Sequence, residues 1–140
     1  MLKKSLVLTS LTLLLAVPST QISGLSANAD STKKLKAAPK VLRGYWKSGS
    51  FLERITRNKI IYISKGYRPY TITVKWSTGF VKHSFLYDDG VHRYPTYMYH
   101  VSRHKFYEKM ATFNTRPAIF HRVSHAKFQH LCKTWATNRA

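Results

Sequence analysis

Tyr70, Ile72, Val74 and Trp76 alternate with Thr71, Thr73, Lys75 and Ser77. A period of two, written in β-branched and aromatic residues, describes a strand with one buried and one wetter face. It excludes an amphipathic helix over the same stretch, where apolar residues would recur every three to four positions. Val41 to Lys47, Phe51 to Arg57, Lys59 to Ser64 and Phe80 to Tyr87 read as further strands with weaker alternation. Ser48-Gly49-Ser50, Asn58, Lys65-Gly66, Thr78-Gly79 and Asp88-Asp89-Gly90 supply the breaks. Short strands joined by brief turns predict an antiparallel meander, closed as a small barrel or left as a strongly curved sheet.

The last third carries an internal echo. Val101-Ser102-Arg103-His104-Lys105-Phe106 is matched 22 residues later by Val123-Ser124-His125-Ala126-Lys127-Phe128. A β-like stretch precedes each serine (Thr96 to Val101, then Ala118 to Val123), and each serine is suited to cap a following helix. Phe106, Met110 and Phe113 follow the first serine at helical spacing; Phe128, Leu131, Cys132 and Trp135 follow the second. The expected pattern is strand–helix, a turn at Asn114-Thr115-Arg116-Pro117, then strand–helix. The fold class expected for the whole is α+β: a curved meander or small barrel followed by two short strand–helix units.

The first 29 residues have the regions of a secretory leader. Lys3 and Lys4 give a positive start, Ser5 to Val17 is an apolar run, and Ala27-Asn28-Ala29 is a small-residue site with cleavage expected between Ala29 and Asp30. Thirteen residues ended by Pro18 fall short of the roughly 20 that span a bilayer, so no transmembrane segment is expected after cleavage. Residues 30–40, basic and with little to bury, are expected as a mobile arm, and 41–140 as one globular domain. The expected location is extracellular, or loosely held at the cell wall.

Without Lys3 and Lys4 the 24 Lys and Arg become 22, against five acids, so the mature chain carries a formal charge of +17. A field of that size attracts polyanions. Behind the leader the partners it favours are anionic wall polymers of the teichoic acid type, with extracellular nucleic acid as another. Arg43, Lys47, Arg54, Arg57, Lys75 and Lys82 are the candidate polyanion-binding residues. Basic and aromatic residues also interleave at 43–47, 67–70 and 92–99, a mixture suited to phosphates, sugars or bases. Cys132 is the single cysteine, which excludes an internal disulfide and fits a Gram-positive exporter.

Enzymatic chemistry finds little footing. Glycoside hydrolysis needs two carboxyls facing one substrate. With Asp30 in the arm and Asp88-Asp89 in a turn, only Glu53 and Glu108 remain, and surrounding cations are expected to keep both ionised. Cys132 lies mid-helix between Phe128 and Trp135, a packing position rather than a nucleophile's niche. No Gly-x-Ser-x-Gly occurs. His100-x-x-x-His104 and His121-x-x-x-His125 have metal-ligand spacing, but each pair straddles an expected strand-to-helix junction. The expectation is a non-enzymatic protein with no metal and no cofactor.

Pro39-Lys40-Val41-Leu42-Arg43-Gly44-Tyr45-Trp46, with the late Phe120-His121-Arg122-Val123-Ser124-His125-Ala126-Lys127-Phe128, resembles small uncharacterised secreted proteins of lactic acid bacteria. Gly44-x-Trp46 on the first strand is also similar to the opening of lipocalin-type barrels. The first resemblance implies no catalytic residues. The second implies a barrel that carries a small ligand. The function expected is therefore binding to anionic surface polymers, with a cationic membrane-active protein or a small-ligand carrier as the alternatives.

Overall fold

Alternation along the strands gives this sheet an apolar inner face and a partly apolar outer one, and the fold covers the first together with part of the second. In the computed structural model, residues 32–110 and 116–137 are described. The leader and its cleavage site, Phe113 and the Asn114-Thr115 half of the expected turn lie outside them. The strands are β1 (Lys34–Leu35), β2 (Gly44–Ser48), β3 (Phe51–Ile55), β4 (Lys59–Ser64), β5 (Tyr70–Thr73) and β6 (Lys75–Thr78). They continue as β7 (Phe85–Asp88), β8 (Thr96–Tyr99), β9 (Lys105–Met110) and β10 (Ala118–Val123), and a helix α1 (His125–Thr137) follows.

The strands form one antiparallel sheet in the order β1-β6-β7-β8-β9-β10-β2-β3-β4-β5. β10 lies against β2, with Arg122 opposite Trp46, so the last strand returns to the start of the meander. At the other junction β5 and β6 are separated only by Val74. The long strand expected over 70–77 is thus two segments, one paired with β4 and the other with β7. The sheet curls onto itself and acquires an inside.

The inner face is filled at one end by large side chains. Trp46, Trp76, Met98, Phe106 and Phe120 form its core with Leu42, Ile55 and Ile60. Phe106 lies edge-on to Trp46 at 4.8 Å and stacks on Phe120 at 5.0 Å. The outer face of β2–β4 is covered by α1, where Phe128 and Trp135 pack with Leu52 and Ile63. Cys132 is half-buried in that cluster, in the packing role its position suggested.

Two differences from the sequence expectation have clear causes. The arm proposed over residues 30–40 is tied down from Lys33 onward. Lys34 and Leu35 pair with Ser77 and Trp76, and Ala38 is 0% exposed, with its N–H donating to the Arg57 carbonyl. Three anchors (Leu35, Ala38 and Leu42) are enough to order a basic segment when an unpaired strand edge is available.

The second difference lies in the echo. Ser124 caps α1, its Oγ accepting the Lys127 N–H at 3.1 Å. Ser102 accepts the Lys105 N–H in the same way, but there the chain continues as β9. Phe106 and Met110 are four apart, which satisfies strand alternation as well as a helical turn. The inner core, with Phe106 between Trp46 and Phe120, decides for the strand. Only one of the two expected strand–helix units therefore has its helix. Likewise Phe80–Lys82, expected as the start of a strand, belong to a turn closed by the Gly79 N–H and the Ser84 carbonyl.

Candidate functional site

Above the aromatic filling, the inner face changes character. Tyr62 on β4, Tyr70 on β5, Tyr87 on β7 and Glu108 on β9 line a cup of about 390 Å³, with Ile72 and Met110 among its apolar walls. Its volume lies near the lower end of the roughly 300–1,000 Å³ usual for small-molecule sites. Register explains the assembly. Glu53 pairs across with Tyr62, and Tyr87 with Thr96, so four inward side chains come from two adjacent strand pairs. The curl then brings β3–β4 to face β7–β9.

A hydrogen-bond chain crosses the floor. The Tyr62 and Tyr87 hydroxyls share a hydrogen bond at 2.5 Å, and the Tyr87 hydroxyl also reaches the Glu108 carboxyl and Thr96. Glu53 is only 1% exposed and lies behind these groups. One oxygen of each carboxyl, Oε2 of Glu53 and of Glu108, is buried without a hydrogen-bond partner. An unpartnered buried carboxyl oxygen is costly if charged, so the acid must hold its proton or meet a donor or cation there.

The expected ionisation of this pair is therefore overturned. Burial, then the nearness of Glu108, raises Glu53 well above the usual carboxylate range. Burial pushes Glu108 up to about 8, against the opposing Tyr87 hydrogen bond. The cations that were expected to hold both ionised lie elsewhere on the molecule, and no Lys or Arg lines the cup. The same burial, with the two carboxyls adjacent, raises Tyr62 and Tyr87.

At the mouth, Asp89 behaves in the opposite way. Its Oδ1 accepts the backbone N–H groups of Val91 and His92 at 2.9 Å, and Oδ2 meets His92 Nδ1 at 2.5 Å. The His92 backbone N–H above all, then the His92 ring, draw Asp89 down to about 2 despite some desolvation. One acid at the rim is thus held ionised, while two at the floor are held neutral.

The opposite end of the curl is sealed by Arg122. Its guanidinium lies 4.2 Å over the Trp46 ring and donates to the carbonyls of Val41, Arg43 and Arg103. Trp46 Nε1 donates to the Leu42 carbonyl at 2.7 Å. Gly44 is required by this arrangement: at φ 137° a side chain is strained, and a Cβ there would meet Arg122 Nη1 at 2.4 Å. The Gly-x-Trp element is in this way part of a closure at the filled end.

The six candidate cations do not form one patch. Lys47 donates to the Gly49 carbonyl at the β2–β3 turn, while Arg43 and Arg57 lie at the opposite end of those strands. Arg43 Nε donates to the Ala38 carbonyl, and Arg54 lies over the Tyr45 ring beside α1. Lys75 is exposed on β6 and Lys82 in the β6–β7 turn. Of the basic–aromatic stretches, 43–47 gives its rings to packing. Tyr67 and Tyr70 are exposed and, with Lys65 and Arg68, line a second depression of about 510 Å³. In the third stretch Tyr97 and Tyr99 stack with each other and Tyr99 stacks on Tyr107, outside β8 and β9.

His100, His104, His121 and His125 are all exposed, and His125 stacks on Tyr45. Among the described residues no three His, Cys, Asp or Glu side chains converge as a metal site, and no helix is long and apolar enough to cross a membrane. No family model, curated protein or solved structure matches the chain.

Proposed function

We propose that this is an exported, non-enzymatic binding protein that holds a small ligand in the cup at the open end of its curled sheet. The observation that carries the reading is a cup of about 390 Å³ walled by Tyr62, Tyr70 and Ile72, with an unpartnered Glu108 oxygen at its floor. Apolar walls with a few convergent polar groups are the usual make-up of a small-molecule site. The lipocalin-type reading of Gly44-x-Trp46 is not what supports this, since Trp46, Trp76, Phe106 and Phe120 fill the interior and leave room for a ligand only at the open end. Hydrolysis of glycosides fits less well, since it requires one carboxyl neutral and its partner ionised, whereas both of these are raised.

The test is thermal denaturation of the mature protein against a panel of neutral, cationic and anionic small molecules. A ligand at about 100 times its Kd stabilises by about 2.7 kcal/mol, which is a shift of roughly 10–20 °C for a domain of this size. Ile72→Trp, which fills the cup, is expected to abolish the shift. A panel without effect, or an equal shift in Ile72→Trp, would overturn the reading.

Surface charge supports a second role beside this one. Of the 21 Lys and Arg among the described residues, 18 are exposed. Outside β8 and β9, Tyr97, Tyr99 and Tyr107 form a stack with Lys105 over the Tyr107 ring at 5.7 Å. Rings beside cations suit anionic sugar–phosphate polymers, and such retention weakens with salt. Cells washed at low and then high salt should release the protein in the second wash. Protein found wholly in the medium at low salt would exclude this role.

A further inference from the structure

The acids of this chain are not spread as its cations are. The described residues include four, and Asp89 and Glu108 line the cup while Glu53 lies behind its floor. Asp88 alone is exposed. A chain with 22 cations after its leader thus places two of its few carboxyls in the lining of one small space, and a third beside Glu108, where no Lys or Arg lines the wall. Sheet architecture does not demand this. Glu53 stands between Leu52 and Ile55 on a strand whose other buried positions are apolar, and Glu108 between Phe106 and Met110 on the inner face of β9. Leu or Met at either place would fill the interior without leaving a bare oxygen.

Around the carboxyls stand rings. Tyr62 and Tyr70 stack at 5.1 Å, and Tyr87 is hydrogen-bonded to Tyr62. Aromatic faces attract organic cations, and quaternary ammonium groups are held in this way in aromatic cages. A metal ion fits less well, because hard divalent cations want about six oxygen ligands. We propose that the cup takes a small organic cation, a protonated or quaternary amine with some apolar surface, seated against the tyrosines with Glu108 as its counter-charge. This rests on the cup being a ligand site and adds the chemical class of the ligand.

The neutral state of the floor then becomes part of recognition. Without a cation in the cup, burial keeps a proton on Glu108 until near pH 8, and burial together with the nearness of Glu108 raises Glu53. An arriving cation selects the ionised form, so one proton leaves for each amine bound. No bond to carbon changes; the proton passes to solvent or buffer. The groups facing Glu108 are Glu53 from β3, Tyr62 from β4, Tyr70 from β5, Tyr87 from β7, and Asp89 with His92 at the rim. Arg122, on β10, is engaged over Trp46 at the other end. Affinity should therefore rise about tenfold per pH unit between pH 6 and 8 and then level off.

Calorimetry on the mature protein tests this with choline, histamine and spermidine, the neutral choline isostere 3,3-dimethylbutan-1-ol, and inorganic phosphate. At least one amine is expected to bind at pH 8 ten times or more tightly than the alcohol. At pH 7 its heat should depend on the buffer's ionisation enthalpy as for one proton released. Glu108→Gln is expected to remove the pH dependence and most of the preference for charge, with Glu53→Gln as a second variant should the first fold poorly. His130→Gln, exposed on α1 and away from the cup, is expected to keep both. If the alcohol or phosphate binds as well as every amine, the cation inference fails and the cup remains a ligand site. If no probe of any charge binds, both readings fail.

Discussion

Replacing Glu108 by Gln should make the protein more stable, and increasingly so as pH rises. In the unfolded chain this carboxyl titrates near its ordinary value of 4.5; in the fold burial holds it to about 8. Between those values the folded state binds the extra proton, so raising the pH costs stability, and the loss is complete once pH exceeds the folded value. Each tenfold in proton affinity is worth about 1.4 kcal/mol, which gives a penalty of roughly 3 kcal/mol at pH 7 and 4–5 kcal/mol above pH 8. Set against the 5–15 kcal/mol typical of whole domains, this is a large fraction. Gln fills nearly the same space and carries no titration. Urea unfolding, followed by Trp fluorescence at several pH values from 4 to 8.5, measures the difference between the two proteins. Bulk charge and the histidines cancel in that difference. With slopes of about 1–2 kcal/mol per molar urea, the midpoints should nearly coincide at pH 4 and separate by more than 1 M at pH 8. A separation that stays constant across the range would refute the argument that burial, rather than shape, sets the cost of this acid.

Three further substitutions probe the frame. Gly44→Ala puts a Cβ against Arg122 at a left-handed backbone position, and should cost about 2–4 kcal/mol from backbone strain and the displaced guanidinium. A thermal midpoint within 2–3 °C of wild type would show that the closure contributes little. Ser124→Ala removes the cap of α1 and should cost about 1 kcal/mol, whereas Ser102→Ala, at a hairpin turn, should leave helical circular dichroism unchanged. Equal loss of helix signal in the two would contradict the assignment of β9.

Much of the sheet was legible because its strands are short runs with unambiguous punctuation. Lys59–Ser64 and Ala118–Val123 match their expected bounds, and Phe51–Ile55 ends two residues early at the Thr56–Lys59 hydrogen bond. Where spacing alone had to decide, it could not. Phe106 and Met110 satisfy both periods, and the same Ser-led hexapeptide begins a strand once and a helix once. The break at Val74 was hidden for a related reason. Side-chain alternation continues through it, while the pairing partner changes from β4 to β7. Of the site, Glu53 and Glu108 could be singled out by elimination, as the acids outside turns and arm. Tyr62, Tyr87 and Thr96 carried no signal apart from being inward members of their strands.

Alternation, turn residues and the Ser124 cap determine by themselves a β-rich chain with a final helix, since these are contacts between near neighbours. The excess of cations is likewise a property of composition. The state of the acids is not. Glu53 and Glu108 lie fifty-five positions apart, and only the curl that sets β3 and β4 across from β7 to β9 brings their carboxyls together. Charge in water is screened and averaged, so a count of surrounding cations predicted two ordinary carboxylates. Burial removes the water that would solvate them, and the tertiary structure thereby turns a basic protein's few acids into a neutral, proton-holding floor.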